Sequence, residues 1–407
     1  MLTFWTTATP EARRALVAAS GGWLLNAFDV MLYALVLSEL IAAFGMSLGV
    51  AGQIGSITLL ASAAGGIIFG VIADRLGRTR ALALSVVMYA GFTAACGFSL
   101  TLTQLAVFRA LLGLGMGGVW ASGASLVSET WAPAHRGKAL GLMQSCWALG
   151  YGLAAIVTAI VLPTLGWRAV FFVGGLPLLF AIWVRRAVPE PEAWRRAVAH
   201  PATGGQGIGQ IFRRPLLGLT VAITLMNAAT MFAWWGFNLW IPAYLSLPVE
   251  RGGIGLSTTH MSVLVVAMQA GMWLGYVTFG FVSDAIGRKP TYVAYLVAAA
   301  ALILAYGIAR DPWVLLVLGP FVAFFGTGYF SGFGAITAEI YPTAIRATAQ
   351  GFTYNIGRVA SAVAPFAVGR LADTAGFGAS FTITALAFAT AALLWIWIPE
   401  TRGREVG

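Results

Sequence analysis

The sequence predicts an all-α membrane protein whose twelve transmembrane helices form two pseudo-symmetric six-helix bundles. Three observations carry that prediction. The 407-residue chain is 59% hydrophobic and only 9% charged, with a mean hydropathy of +0.85, which leaves too little polar surface to cover a soluble core. Apolar windows of about 20 residues, the length that crosses roughly 30 Å of hydrocarbon, recur along the whole chain. The sequence also repeats itself at an offset of 210 residues: Gly70, Asp74, Gly77 and Arg78 recur as Gly280, Asp284, Gly287 and Arg288, Glu129 and Arg136 as Glu339 and Arg346, and Pro189-Glu190 as Pro399-Glu400. One register held from end to end means two copies of one architecture.

In chain order the windows fall at about 17–42, 50–72, 80–99, 104–127, 138–161 and 168–187, then 216–245, 258–281, 291–309, 313–337, 347–370 and 378–398. Residues 1–187 thus form the N-terminal bundle and 216–407 the C-terminal one, joined by a linker at 188–215 that is rich in Pro, Gly and charge. Within it Ala193–Ala199 reads as an amphipathic piece resting on the cytoplasmic surface. Placing both termini inside puts 18 of the 24 Lys and Arg, from Arg13 to Arg404, in cytoplasmic segments, and leaves Arg109, Arg168, Arg251, Arg310 and Arg370 on or near the outer side. That bias sets the expected topology in a plasma (inner) membrane, multi-pass, with the chain as a monomer in the lipid bilayer.

The net charge of +10 comes from short clusters between apolar spans, so no nucleic-acid partner is expected. Arg13-Arg14 before an apolar run resembles a signal peptide, but cleavage would remove the counterpart of the seventh span. Cys96 and Cys146 both lie in apolar spans, which argues against a disulfide framework or a metal site, and no cofactor is expected. His135, His200 and His260 lie in loops or at a helix edge and do not form a proton relay. The glycine runs Gly113–Gly117 and Gly326–Gly328 read as packing surfaces within apolar helices, not as nucleotide loops.

In Gly70–Arg80, GVIADRLGRTR, Gly77 permits a tight turn while Asp74 and the arginines sit where an apolar segment ends in water. An acid at one helix end and cations beyond it can form ion pairs that break and re-form; a solvated connector is the plainer alternative. The pattern G-x-x-x-D-R-x-G-R-x-R, present twice, resembles the signature loop between helices 2 and 3 of the major facilitator superfamily, and the resemblance covers residues ~15–400. It implies gating roles for Asp74, Arg75, Arg78, Asp284 and Arg288, and for Glu129, Arg136, Glu339 and Arg346 in the loops that follow spans four and ten. Asp74 is expected to pair within its own loop or with span eleven, and Asp284 with the end of span five. Pro189-Glu190 and Pro399-Glu400 are similar to the helix-end motifs of sugar and metabolite porters.

Residues that break the repeat are where function is expected. Asp29 has Leu239 as its counterpart and Arg358 has Ala148; an ionised group at the membrane centre costs at least ~2.5–3.5 kcal/mol unless it is paired or wetted. Each lies in a polar stripe at helical spacing, Asn26, Asp29 and Tyr33 on span one, and Gln350, Tyr354, Arg358 and Ser361 on span eleven, beside Asn355. With Asn238, Gln144, Tyr151, Gln269 and Trp273 from other spans, these line an expected cavity for a substrate that is anionic and partly apolar. Arg358 is the expected anchor for a carboxylate. Asp29 is the expected proton-coupling group, paired with Arg358 before substrate arrives; a purely structural ion pair is the alternative. Arg109, opposite Gly319 in the repeat, reads either as a proton-handling group or as a helix cap.

NAFDVMLYAL resembles helix 1, and NIGRVASAVAP helix 11, of the metabolite:proton symporters for aromatic acids, sialate and lactate. The D-G-x-D of aromatic-acid carriers is Asn26-Ala27-Phe28-Asp29 here, and the paired glutamines of sugar porters on helix 7 are absent. The expected function is proton-coupled symport of a small organic anion, a carboxylate, by alternating access. The alternative is a proton-coupled drug or metabolite efflux antiporter of the same fold, against which a midplane arginine weighs. A receptor or membrane enzyme fits less well, since the chain has no long soluble domain, no nucleophile–base pair and no metal cluster.

Overall fold

A computed structural model describes residues 3–6, 8–199 and 208–402, so His200 and Arg404 lie outside the described residues. Every regular element among them is helical. Ten helical stretches are long and apolar enough to cross a membrane, and two of these, of 53 and 46 residues, run two spans together. The chain leaves helical geometry inside each at a glycine, Gly166 (φ 75°, ψ 175°) and Gly376 (φ 81°, ψ 170°), a backbone region that is almost confined to glycine and costs other residues roughly 1–3 kcal/mol. The twelve expected spans are therefore present, and the two kinks are themselves 210 residues apart in the sequence.

The chain divides into two compact units, Met1–Met46 with Ile57–Thr203, and Ser47–Ser56 with Gly204–Gly407. The first is built from α1 (Pro10–Leu35), most of α2 (Leu48–Leu76), α3 (Arg78–Cys96), α4 (Leu102–Thr130), α5 (Pro133–Val173) and α6 (Pro177–Ala187). The second holds α7 (Leu216–Asn238), α8 (Thr258–Ile286), α9 (Arg288–Ile308), α10 (Pro312–Thr327) and α11 (Thr343–Leu394). The expected amphipathic piece in the linker is a short helix, Glu192–Ala199, held to the end of α2 by the indole N–H of Trp194, which donates to the Asp74 carbonyl at 2.9 Å.

Local sequence sets the helix starts. Thr9 caps α1 with Pro10 at its first position, Thr101 and Gln104 form a reciprocal capping box on α4, and Asp311 accepts from the backbone of Trp313 and Val314 at the start of α10. Packing is close where glycine allows it: a side chain at Gly113, Gly115 or Gly117 of α4 would run into the backbone of Thr58, Tyr89 or Ser62, as expected for a packing face. The second glycine run packs closely too, a Cβ at Gly326 meeting Trp234 and one at Gly328 meeting Tyr295 and the Gly275 backbone, but it does not lie in one unbroken helix. Helix α10 ends at Thr327, and Gly328–Gly332 is a 3-10 turn before the short helix Phe333–Ile340, so Gly328 stands at a break in the span. Outward faces carry large exposed apolar side chains, such as Leu60, Ile67, Ile68 and Val71 on α2, which suits contact with lipid rather than water.

The start of α2 belongs to the second unit. There Asp373 of α11 accepts hydrogen bonds from the backbone of Leu48 (2.9 Å) and Gly49 (2.7 Å), Phe366 N–H donates to Ser56 Oγ at 3.1 Å, and a Cβ on Gly52 would overlap the Pro365 carbonyl.

Candidate functional site

The repeated charged loops fold into one ion cluster per unit. In the first, Gly77 (φ 115°) turns the chain between α2 and α3, and the Arg78 guanidinium then bridges Asp74 and Glu129, the latter at 2.9 Å. Glu190 closes the cluster by accepting from the backbone N–H groups of Thr79 and Arg80, each at 3.0 Å. In the second, Gly287 has φ 112°, and Arg288 bridges Asp284, Glu339 (2.9 Å) and Ser283 Oγ (2.8 Å). Glu400 accepts from the backbone of Arg288 and Lys289 at 2.9 and 3.0 Å, while Thr401 Oγ1 donates to Glu339 at 2.6 Å.

Both carboxylates therefore sit on the N-terminus of a helix, where free N–H groups and the helix dipole favour negative charge. Burial alone would push the Glu400 carboxyl up, but the N–H groups of Arg402, Arg288, Lys289 and Thr401 outweigh it and hold the group below the usual glutamate range. The capping role of Glu190 and Glu400 was visible in the sequence only as a repeated Pro-Glu. Asp284 pairs with Arg288 of its own loop, as Asp74 pairs with Arg78, and Glu129 and Glu339 reach the same two arginines, Arg78 and Arg288. Arg346 Nε instead donates to the Tyr341 carbonyl at 3.3 Å, Arg136 Nε has no hydrogen-bond partner among the described residues, and Arg75 is exposed.

A second group of polar residues lies buried within the first unit. Asn26, Asp29 and Tyr33 of α1, Tyr89, Thr93 and Cys96 of α3, and Arg109 of α4 are each at most 1% exposed. Thr93 Oγ1 lies 3.1 Å from Asp29 Oδ2, and the Arg109 guanidinium stacks 4.6 Å above the Tyr33 ring within Coulomb reach of Asp29. The cation beside Asp29 within its own unit is thus Arg109. Arg109 does not cap α4, since Thr101 and Gln104 do that; it stands two turns inside the helix. Asp29 Oδ1, both amide atoms of Asn26, Nε and Nη1 of Arg109 and the Tyr89 hydroxyl make no hydrogen bond among the described residues. Elsewhere in the unit, Gln144 Oε1 accepts from the Trp120 indole at 3.3 Å, Trp147 packs on Trp23 with ring centres 4.7 Å apart, and Tyr151 is buried.

In the second unit Arg358 is 8% exposed on α11, in electrostatic reach of Tyr354. Tyr354 lies beside Phe333, and the Asn355 amide donates to the Gly351 carbonyl at 2.9 Å. Asn238 is buried, and Gln269 donates to the Val265 carbonyl at 3.3 Å while its Oε1 finds no partner among the described residues. Trp273, at 37% exposure, is the most open of the expected lining residues. Asn227 ties α7 to α11 by donating to the Thr353 carbonyl at 2.9 Å. No group of three or more His, Cys, Asp or Glu able to hold a metal occurs among the described residues.

A family model described as Major Facilitator Superfamily matches residues 20–253 and 245–406. The chain is 30% identical over 411 residues to a "Probable 4-methylmuconolactone transporter" of Cupriavidus pinatubonensis, covering 99% of this chain and 94% of that one. It is 31% identical over 374 residues to a cis,cis-muconate transport protein of Acinetobacter baylyi, covering 90% and 89%. Among solved structures, a D-xylose-proton symporter superposes with a TM-score of 0.79 at 20% identity, over 97% of this chain and 99% of that one.

Proposed function

The chain belongs to the Major Facilitator Superfamily, a membrane transporter and not an enzyme, and from that premise we propose that it is a proton-coupled symporter of a small organic anion, a carboxylate, working by alternating access. The observation that carries the reading is a pair of buried charges with no counterpart in the internal repeat, Arg358 in one unit and Asp29 in the other. A guanidinium stays charged in a poorly solvated place and offers a fork that matches two carboxylate oxygens. Arg358 is therefore the anchor for the anion, with Tyr354 in electrostatic reach of it; Asn355, Asn238, Gln269 and Trp273 of the same unit and Asn26, Tyr33, Gln144 and Tyr151 of the other complete the expected substrate set.

Asp29 is the proton site. Beside Arg109 it is a compensated charge, and taking up a proton changes the net charge of that buried group by one, which is what coupling to a proton gradient requires. Relatives described as a cis,cis-muconate transport protein and a probable 4-methylmuconolactone transporter support a small organic acid as the substrate class. Arg358 disfavours a cationic drug as cargo. The two ion clusters, with Arg75, Arg136 and Arg346 around them, act as gates at the cytoplasmic side, in a plasma-membrane topology with both termini inside that the lysine and arginine bias supports.

The test uses the purified protein in liposomes, with substrates first chosen by a thermal-shift screen of small carboxylates that includes cis,cis-muconate. Asp29→Asn retains counterflow exchange but loses accumulation driven by a pH gradient. Arg358→Ala and Arg358→Lys lose binding. Uphill accumulation by Asp29→Asn places the proton site elsewhere and overturns the reading.

A further inference from the structure

We propose that Thr93 is a positioning residue that senses the protonation state of Asp29 and passes it to helix α3, an inference that rests on Asp29 being the group that takes the proton. Thr93 Oγ1 lies 2.8 Å from the Tyr89 carbonyl, one turn back on its own helix, and 3.1 Å from Asp29 Oδ2. A hydroxyl has one hydrogen to donate, and a carbonyl can only accept. If the Thr93 hydrogen goes to Tyr89, then the contact with Asp29 must be donated by Asp29, which it can do only as the neutral acid. If Asp29 is ionised, the carboxylate needs the Thr93 hydrogen and the Tyr89 carbonyl loses it.

The two protonation states of Asp29 thus correspond to two settings of one hydroxyl. Thr93 is wholly buried, and its contact is the one hydrogen bond that the Asp29 side chain makes among the described residues, Oδ1 having none. The charged and titratable groups around the pair are Arg109 from α4, Tyr33 from α1, and Tyr89 and Cys96 from α3. Of these Arg109 is the fixed charge at Asp29, and it faces both settings alike. A threonine that bonds back to the carbonyl one turn earlier loosens and bends a helix. Switching that bond on and off therefore adjusts α3, whose first residue, Arg78, holds the ion cluster with Asp74 and Glu129. Proton binding at Asp29 is in this way connected to the charged loop at the other end of the same helix.

The test is infrared difference spectroscopy, acidic minus alkaline, on the reconstituted protein and on Asp29→Asn, Thr93→Val and Thr93→Ser, with the pH profile of uptake on the same liposomes. The expected result is a protonated-carboxyl C=O band that is absent from Asp29→Asn. In Thr93→Val that band moves to higher frequency, and both its titration midpoint and the uptake profile shift upward by about one pH unit, because the ionised form loses a charge-assisted hydrogen bond and the neutral form a weaker one. Thr93→Ser, which keeps the hydroxyl, restores both. Thr93→Ala, which adds no bulk, repeats the measurement should valine disturb packing. A band lost in Asp29→Asn but unmoved in the valine and alanine variants, or moved equally by serine, overturns the relay alone. A band that persists in Asp29→Asn removes the proton reading and the relay together.

Discussion

Gly77 and Gly287 meet two demands that other residues cannot meet together. Each takes a φ above 110°, and a Cβ at either would run into the carboxylate, Glu190 or Glu400, that caps the following helix. Replacing either by Ala is expected to destabilise the protein by roughly 1–3 kcal/mol from backbone strain alone, read as a lower midpoint in thermal or denaturant unfolding, with the displaced cap adding to it. Glu400 also makes a pH prediction. Its carboxyl is held below the usual range in the folded protein, so the stabilisation it gives is fully present above the ordinary glutamate value and is lost as pH falls through the lower folded value. Melting curves from about pH 6 down to about pH 3 should show an acid-dependent loss that Glu400→Gln lacks. Equal acid sensitivity in the two proteins would mean that the cap does not titrate in that window.

At the scale of the helix, α2 is the element that both units use. Its body packs in the first unit while its first turns are held in the second by Asp373, Ser56 and the close approach at Gly52. Ser47 caps α2 from its own sequence by accepting from the Val50 N–H at 3.2 Å, and Asp373 adds a second cap on the N–H groups of Leu48 and Gly49; losing a helix cap costs typically ~0.5–2 kcal/mol. Asp373→Ala is therefore expected to unfold earlier, and to show faster hydrogen exchange at the amides of Leu48 and Gly49 while those near Leu76 keep wild-type protection. The ion clusters predict an order of effects. Arg288 joins Asp284, Glu339 and Ser283, whereas the Asp284 side chain is 68% exposed, and exposed pairs are worth ~0–1 kcal/mol. Arg288→Ala should therefore lower the melting temperature clearly more than Asp284→Asn does; the reverse order would contradict the assignment of Arg288 as the hub.

At the scale of the whole molecule, the two units repeat one pattern, from the Gly-turn and its arginine to the Pro-Glu cap and the kinks at Gly166 and Gly376. Against that repeat, Asp29, Arg109 and Arg358 stand out as charges buried once only. Removing the guanidinium beside a buried acid leaves an uncompensated charge, an expensive arrangement that the acid avoids by staying protonated. Arg109→Gln is accordingly expected to keep counterflow exchange but to lose most proton-driven accumulation, like Asp29→Asn. Wild-type accumulation by that variant would show that Arg109 takes no part in coupling.

The sequence by itself determined the fold, because burial in lipid demands about 20 apolar residues per span and the 210-residue offset could be read in the letters alone. It also marked Asp29, Arg109 and Arg358, since a charge in an apolar span needs no structure to be noticed. Pairing was decided only by the tertiary structure. Which carboxylate meets Arg78 or Arg288, that Glu190 and Glu400 reach 111 and 112 residues back to cap a helix, and that Asp29 rests on Thr93 depend on how helices distant in sequence pack and rotate. Helical periodicity tells which residues share a face, but not which face of another helix it meets. Thr93 shows the limit most plainly: a threonine in an apolar span reads as filler until its one hydroxyl is seen between a carboxyl group and a carbonyl.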